Sequence, residues 1–470
     1  MAAGVRWCVA VAGRGGGLVM AAGPSAPGGP SGPAPDPFAL LRSRSYVGLL
    51  VLAAVLGVPV SAAAYFFLQL SAHLQRWVFT DLPSGLGFDG EPRWWPAPVL
   101  LVAGVLVGLI VRFLPGAGGE SPAAGFHPHG APSPVDLPSI ALAALATLGL
   151  GAVLGPEGPL IALGGGLAAW AVRLAKRDAP AQAIAVVGAA GSFAAVSTLL
   201  GSPLLGAFLL MEVSGVGGTM ASVVLVPGLL AAGVGSLIFV GLDSLTGLGP
   251  ISLAIPNLPG FARPDIAQFG WALVIGVLAA FFGSGIRRLA LALRPRVERR
   301  VLVATPLAGL VVGGLAIVYA VGTGRGSSEV LFSGQDALGP LLTHSADYTA
   351  GTLVVLLVCK GLAYGVSLGG FRGGPIFPAM FLGAAGGMAL SHLPGLPVVP
   401  AAAMGIGAMC VTMLRLPMTS VLLATLLLLS DGLAVTPLVI VAVVVAFVVS
   451  AYVLPAPPAP TTPEKAAAKP

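Results

Sequence analysis

Apolar runs long enough to cross a bilayer recur from one end of this chain to the other, at 46–70, 96–114, 270–293, 353–368 and 436–453. A membrane-spanning helix needs roughly 20 apolar residues. Counting the shorter apolar stretches between these runs gives about ten to fourteen membrane segments by hydropathy. Only 9% of the 470 residues are charged, whereas a soluble domain covers itself with about 25%. The chain cannot build a water-facing surface of that kind, so the expected fold class is an all-α polytopic membrane protein. Its 68 glycines and 42 prolines fit that medium. Small residues let helices approach closely, and neighbouring helices re-satisfy backbone groups that proline frees.

The remaining charge excludes other classes. Arg287, Arg288, Arg294, Arg296, Arg299 and Arg300 flank one apolar run. They read as a positive-inside anchor on the cytoplasmic side, not as a nucleic-acid face. Arg42 and Arg44 place the N-terminus on the same side. Cys8, Cys359 and Cys410 are scattered, without the spacing of a disulfide framework or metal site. Neither a metal nor a cofactor is expected. Residues 1–39 are Gly/Pro/Ala-rich and read as disordered, with Met20 an alternative start. The tail 455–470 reads the same way and is too short for a regulatory domain. One transmembrane domain is expected over 40–454.

Within that domain two motifs recur in the same order. Gly155-Pro156-Glu157-Gly158-Pro159 opens an apolar stretch in the first half, and Gly374-Pro375-Ile376-Phe377-Pro378 opens one in the second. Gly201-Ser202-Pro203 follows the first, and Arg415-Leu416-Pro417 follows the second. The halves fall at about 40–245 and 265–454. Interrupted apolar segments at corresponding places in two halves point to a transporter binding site, and such repeats usually adopt inverted topology.

Proline fits the first turn of a helix, where its missing N–H costs nothing. Pro159, Pro378, Pro203 and Pro417 therefore mark helix starts inside the membrane. Each start carries free backbone N–H groups and about half a positive charge, which binds an anion without a lysine or arginine. Four such starts converging from two repeats would make a mid-membrane anion site that includes Gly158, Pro159, Ile376 and Phe377. Glu157 is the expected gate. An acid in a transmembrane segment costs about 2.5–3.5 kcal/mol, so it faces a pathway or a partner. Its carboxylate competes with the anion for a helix start, and protonation removes the competitor. A purely structural capping carboxylate is the alternative.

Glu212, about 14 Å along the helix from Pro203, reads as a solvated interfacial carboxylate in preference to a proton relay. Lys360, Arg415 and Asp431 read as snorkelling groups or internal ion pairs. Arg415 could also add positive potential at a cytoplasmic entrance. His127 and His129 read as loop residues.

These motifs resemble those of the CLC family of chloride channels and chloride/proton exchangers. The family's Gly-Arg/Lys-Glu-Gly-Pro is similar to 155–159, and its Gly-x-Phe-x-Pro to 374–378. Its Pro-Leu-x-Gly helix ending in an acid resembles 203–212, and its Arg-x-Pro-Leu-Thr resembles 415–419. Gly116–Pro122 stands where its Gly-Ser-Gly-Ile-Pro would. The resemblance covers about 45–454. It implies a homodimer in a lipid bilayer, each subunit with its own pore for chloride or a similar small anion, and possible exchange for protons. It also implies a cell-membrane location with both termini cytoplasmic. The family's selectivity serine aligns with Gly119, which has no hydroxyl, and Pro156 replaces its basic residue. Val213 stands at its inner proton glutamate, which tilts the expectation toward weak or absent proton coupling. Its pore tyrosine has no firm counterpart, Tyr452 being the candidate. Two other classes compare poorly. A secondary transporter of another fold, moving a different anionic solute or a cation, would need more membrane acids. An intramembrane enzyme would need a nucleophile paired with a base.

Overall fold

The computed structural model describes residues 42–125, 130–215, 218–247, 255, 260–261, 263–428 and 432–453. The ends expected to be disordered, together with His127, His129 and Asp431, lie outside these residues. The first half begins with α1 (Arg44–Arg76), which continues through a π-helical turn at Trp77–Asp81 into the single turn α2 (Leu82–Gly85). It goes on through α3 (Pro96–Phe113), α4 (Leu137–Gly149), α5 (Glu157–Ala175), α6 (Ala181–Leu200), α7 (Pro203–Ser214) and α8 (Gly218–Thr246). The second half has α9 (Ile266–Arg299), α10 (Val301–Thr323), α11 (Gln335–Thr343), α12 (Ala350–Gly370), α13 (Ile376–Ser391), α14 (Val398–Leu414), α15 (Pro417–Leu427) and α16 (Gly432–Val453).

Among the described residues nine helical segments are long and apolar enough to cross a membrane, and α4, α7, α13, α14 and α15 are apolar but shorter. The shorter ones account for the upper part of the expected ten to fourteen. α1 shows how the medium shapes the surface: Val47, Val51 and Val55, one turn apart, are all exposed. In water such a stripe would be an aggregation site; in lipid it is the ordinary outer face. The protein is multi-pass and all-α, with no β-strand among the described residues.

At the centre is α14, buried at every residue from Val399 to Leu414. It packs on α13 through glycines: a Cβ on Gly405 would sit 2.0 Å from the Gly383 carbonyl oxygen. With little hydrophobic drive between helices in lipid, such backbone-to-backbone approach supplies the packing.

The order α5, α6, α7, α8 recurs as α13, α14, α15, α16. The two series meet where their first helices begin. Gly155 and Gly374, which hold the same place in the two motifs, form an isolated antiparallel bridge. Gly155 N donates to Gly374 O at 2.8 Å and Gly374 N to Gly155 O at 2.6 Å. A reciprocal exchange of this kind has a local two-fold axis. A two-fold relation at this point agrees with the inverted topology that such paired repeats usually adopt.

Candidate functional site

The two matched breaks build the same helix start twice. Pro156 is the N-cap of α5, followed by Glu157, Gly158 and Pro159. Pro375 is the N-cap of α13, followed by Ile376, Phe377 and Pro378. Proline at the cap and again at the third position leaves two backbone N–H groups in each first turn without a partner in the helix. The bridge between Gly155 and Gly374 holds these two starts against each other.

Glu157 lies in the join and is 0% exposed. Its Oε1 accepts a hydrogen bond from the Ile376 amide. The Phe377 amide and its own amide also face the carboxylate. Oε2 is buried without a hydrogen-bond partner. The side chain thus reaches across to the start of α13 in the opposite repeat, while its own helix start contributes only the Glu157 amide. Space is as tight as the bonding. A Cβ on Gly155 would fall 2.0 Å from Oε2, and one on Gly374 would fall 2.2 Å from Cδ. Both glycines are needed because the carboxylate is clamped between them.

The expected convergence of four helix starts is corrected to two. Ser202 caps α7, its Oγ accepting from Leu205 N at 3.3 Å. The start of α15 is filled by Glu212. Its carboxylate accepts from Met418 N at 2.9 Å, Thr419 N at 2.8 Å and Thr419 Oγ1 at 2.7 Å. Glu212 is half-buried and, beyond the interfacial carboxylate expected of it, joins α7 to α15. Helix starts attract any nearby carboxylate, and the repeat pattern does not reveal which start already has one.

Other assigned residues scatter. Gly119 sits in a turn with φ +84°, and its amide donates to Gly116 O at 2.8 Å, so that N–H is already occupied. Tyr452 is 87% exposed near the end of α16, away from the buried carboxylate. Arg415 is the C-cap of α14 in the left-handed region, φ 61°. Lys360 neither snorkels nor forms an ion pair among the described residues. It is 0% exposed, and its Nζ donates to four backbone carbonyls. Arg287 departs from the surface anchor expected of its cluster. Its guanidinium turns inward and donates to Thr412 O at 3.4 Å. It lines a crevice with Pro122, Ala123, Leu368, Pro375 and Met413 that holds about 10 Å³, the space of one water molecule.

Two residues that sequence reasoning passed over complete the site. Tyr364 is fully buried, its hydroxyl donating to Pro375 O at 2.6 Å and interacting electrostatically with Glu157. Ser367 Oγ accepts from Val153 N at 3.1 Å. The available signal was a polar residue at 360, 364 and 367 in an otherwise apolar span, which is one helix face.

Comparison with known proteins gives the arrangement a family. The family model described as voltage gated chloride channel matches residues 103–451. The chain is 29% identical over 360 residues to YfeO of Salmonella choleraesuis, a protein named provisionally for ion transport, covering 76% of this chain and 84% of that one. The structure of a slow cyanobacterial Cl⁻/H⁺ antiporter superposes with a TM-score of 0.69 at 20% identity, covering 86% of this chain and 94% of that one. A CLC-type fluoride/proton antiporter superposes at 0.59 with 21% identity, over 86% and 95% of the two chains. The paired breaks and the extent of these matches agree: the chain belongs to the voltage gated chloride channel, or CLC, family.

Proposed function

We propose that this chain carries small inorganic anions, most simply chloride, across a cell membrane, with Glu157 as a protonatable gate. The observation that carries this is the buried Glu157 carboxylate on the Ile376 amide. A dehydrated carboxylate that accepts backbone N–H bonds at a helix start occupies what a halide would occupy. Amides and a partial dipole hold an anion weakly enough for it to leave, unlike a fixed cation at contact distance. With Glu157 ionised the position is filled. With it protonated, the charge-assisted bond weakens and an anion takes its place.

Arg287 extends the path. Its crevice reaches Pro375, the residue before the Ile376 amide, and a guanidinium there draws anions toward the join. The five remaining arginines, Arg288, Arg294, Arg296, Arg299 and Arg300, support a cytoplasmic side for this end of α9, with both chain termini on that side as well. The transmembrane domain spans 40–454, and it works as a homodimer in the lipid bilayer with one pathway per subunit. Transport, and not enzymatic turnover, is its activity. The site supports two modes, passive conduction and exchange for protons, since one titrating carboxylate serves both. Val213 in place of a second acid beside Glu212 favours weak coupling.

Purified protein in liposomes, assayed for anion efflux and proton movement together across chloride, nitrate and fluoride, tests this. Anion efflux that rises as pH falls is expected. Liposomes no leakier to any of the three anions than protein-free controls would sink it.

A further inference from the structure

α12 presents three polar side chains on one face, Lys360, Tyr364 and Ser367, at intervals of four and three residues. Each is fully buried, and each holds a different strand of backbone that leads into the Glu157 join. Lys360 Nζ donates to the carbonyls of Glu329 at 3.1 Å, Val330 at 3.1 Å, Leu331 at 2.9 Å and Phe332 at 3.3 Å. It also stands 4.5 Å from the centroid of the Phe381 ring on α13. An ammonium has three protons, so four carbonyls share them in a closed cage. The caged loop is anchored at its other side. The Glu329 carboxylate accepts from Arg325 Nε at 2.8 Å and from the hydroxyls of Tyr319 and Tyr348.

The cage holds the loop in a conformation it would not adopt freely. Phe332 lies at φ +58°, a region bulky residues seldom occupy. From there its N–H donates to Gly151 O at 3.1 Å. Gly151 begins the segment that reaches Glu157, and two residues on, Val153 N donates to Ser367 Oγ at 3.1 Å. Tyr364 fixes the opposite break by donating to Pro375 O at 2.6 Å. One face of α12 therefore grips both sides of the join, and Lys360 does so through the loop.

We infer that Lys360, Tyr364 and Ser367 are positioning residues for the gate: they set the register in which the Glu157 carboxylate meets the Ile376 amide. A buried cation caged by carbonyls suits this task, because the four acceptors would be left unpaired by any movement of the loop. The stripe acts on gating and not on the anion. This rests on Glu157 being the gate. The titratable groups that face Glu157 are Tyr364 on α12 and Cys410 on α14, and Arg287 on α9 faces Tyr364 in turn.

Lys360→Met, Lys360→Arg, Tyr364→Phe and Ser367→Ala, each alone and combined with Glu157→Gln, would be compared in liposomes from acid to alkaline pH. Lys360→Met is expected to lower the ratio of acid to alkaline flux by about tenfold, the effect of misplacing the one charge-assisted bond between the Ile376 amide and Glu157. Lys360→Arg is expected to recover part of that ratio. In the Glu157→Gln background the same substitution should change flux by less than about twofold, since the gate it positions is already neutral. Equal loss of flux at every pH, repeated in the Glu157→Gln background, would overturn the inference and leave a structural role. If Lys360→Met does not purify as a monodisperse protein, Tyr364→Phe and Ser367→Ala decide. A flattened pH profile in either supports the stripe, and a wild-type profile in both overturns it. Glu157→Gln alone separates the two levels. If that variant keeps the wild-type pH dependence, Glu157 is not the gate, whatever the stripe does.

Discussion

Replacing Glu157 by glutamine is the sharpest perturbation the join offers. Glutamine keeps the shape and one acceptor oxygen for the Ile376 amide but removes the charge. A hydrogen bond to a charged group contributes about 1.5–3 kcal/mol and a neutral one about 0.5–1.5 kcal/mol, so the bond itself weakens by about 1.5 kcal/mol. A buried carboxylate at a helix start gains up to about 2 kcal/mol from the aligned backbone dipoles, which an amide largely forgoes. The two losses come to at most about 3.5 kcal/mol, and the desolvation cost of the buried carboxylate, which an amide largely avoids, offsets part of them. At 1.4 kcal/mol per decade the side chain leaves its seat at least roughly tenfold more often. The sign follows from the chemistry. Wild-type flux is expected to rise as pH falls, because in the proposed mechanism protonation empties the seat. Glu157→Gln should therefore match wild-type acid flux at alkaline pH, with a flat profile between. Anion-selective electrode traces from reconstituted liposomes read both quantities. A variant that folds, yet keeps the wild-type slope and the low alkaline flux, would falsify competition between carboxylate and anion.

Glu212→Gln should lower the melting temperature, costing about 1–2 kcal/mol as the cap of α15 weakens, while leaving the pH profile of flux unchanged; loss of proton movement with unaltered stability would instead make Glu212 a relay. Arg287→Met should raise the anion concentration for half-maximal flux from the crevice side, more so at low ionic strength, where a single charge is less screened; an effect independent of salt would remove Arg287 from the path. Gly405→Ala should abolish well-folded protein or lower its stability by at least about 3 kcal/mol, because its Cβ would lie 2.0 Å from the Gly383 carbonyl; thermal unfolding in detergent measures this.

Much of this architecture is legible in the sequence, and the reason is physical. Lipid forces every span to be apolar, so the runs at 46–70 and 436–453 declare themselves. Proline at 156, 159, 375 and 378 marks the two broken helices, because proline is restricted to few positions in a helix. An acid at 157 in that setting calls for a partner, and the Ile376 amide is that partner. What stayed hidden depends on three-dimensional partners. Nothing in the order of residues tells that Glu212 would meet the start of α15, or that the amides receiving Glu157 belong mainly to the other repeat. Long basic side chains such as Lys360 generally reach for the interface, a habit that yields when enough carbonyls are gathered around the ammonium. Five neighbouring arginines mask Arg287 in the sequence, although its helix phase sets it beside the buried Ile286 and Ala290.

The reciprocal pairing of Gly155 with Gly374 has a consequence for how many acids the pathway can hold. By that pairing, Glu157 and Ile376 are counterparts, each the first residue of its helix, and the Glu157 carboxylate already lies on the Ile376 amide. A second carboxylate in place of Ile376 would set two like charges within a few ångströms, and one of them would have to stay protonated. Near-symmetry of the backbone thus demands asymmetry of the side chains. One half supplies the buried carboxylate, the other supplies most of the donors that receive it, and neither half completes the seat without its counterpart.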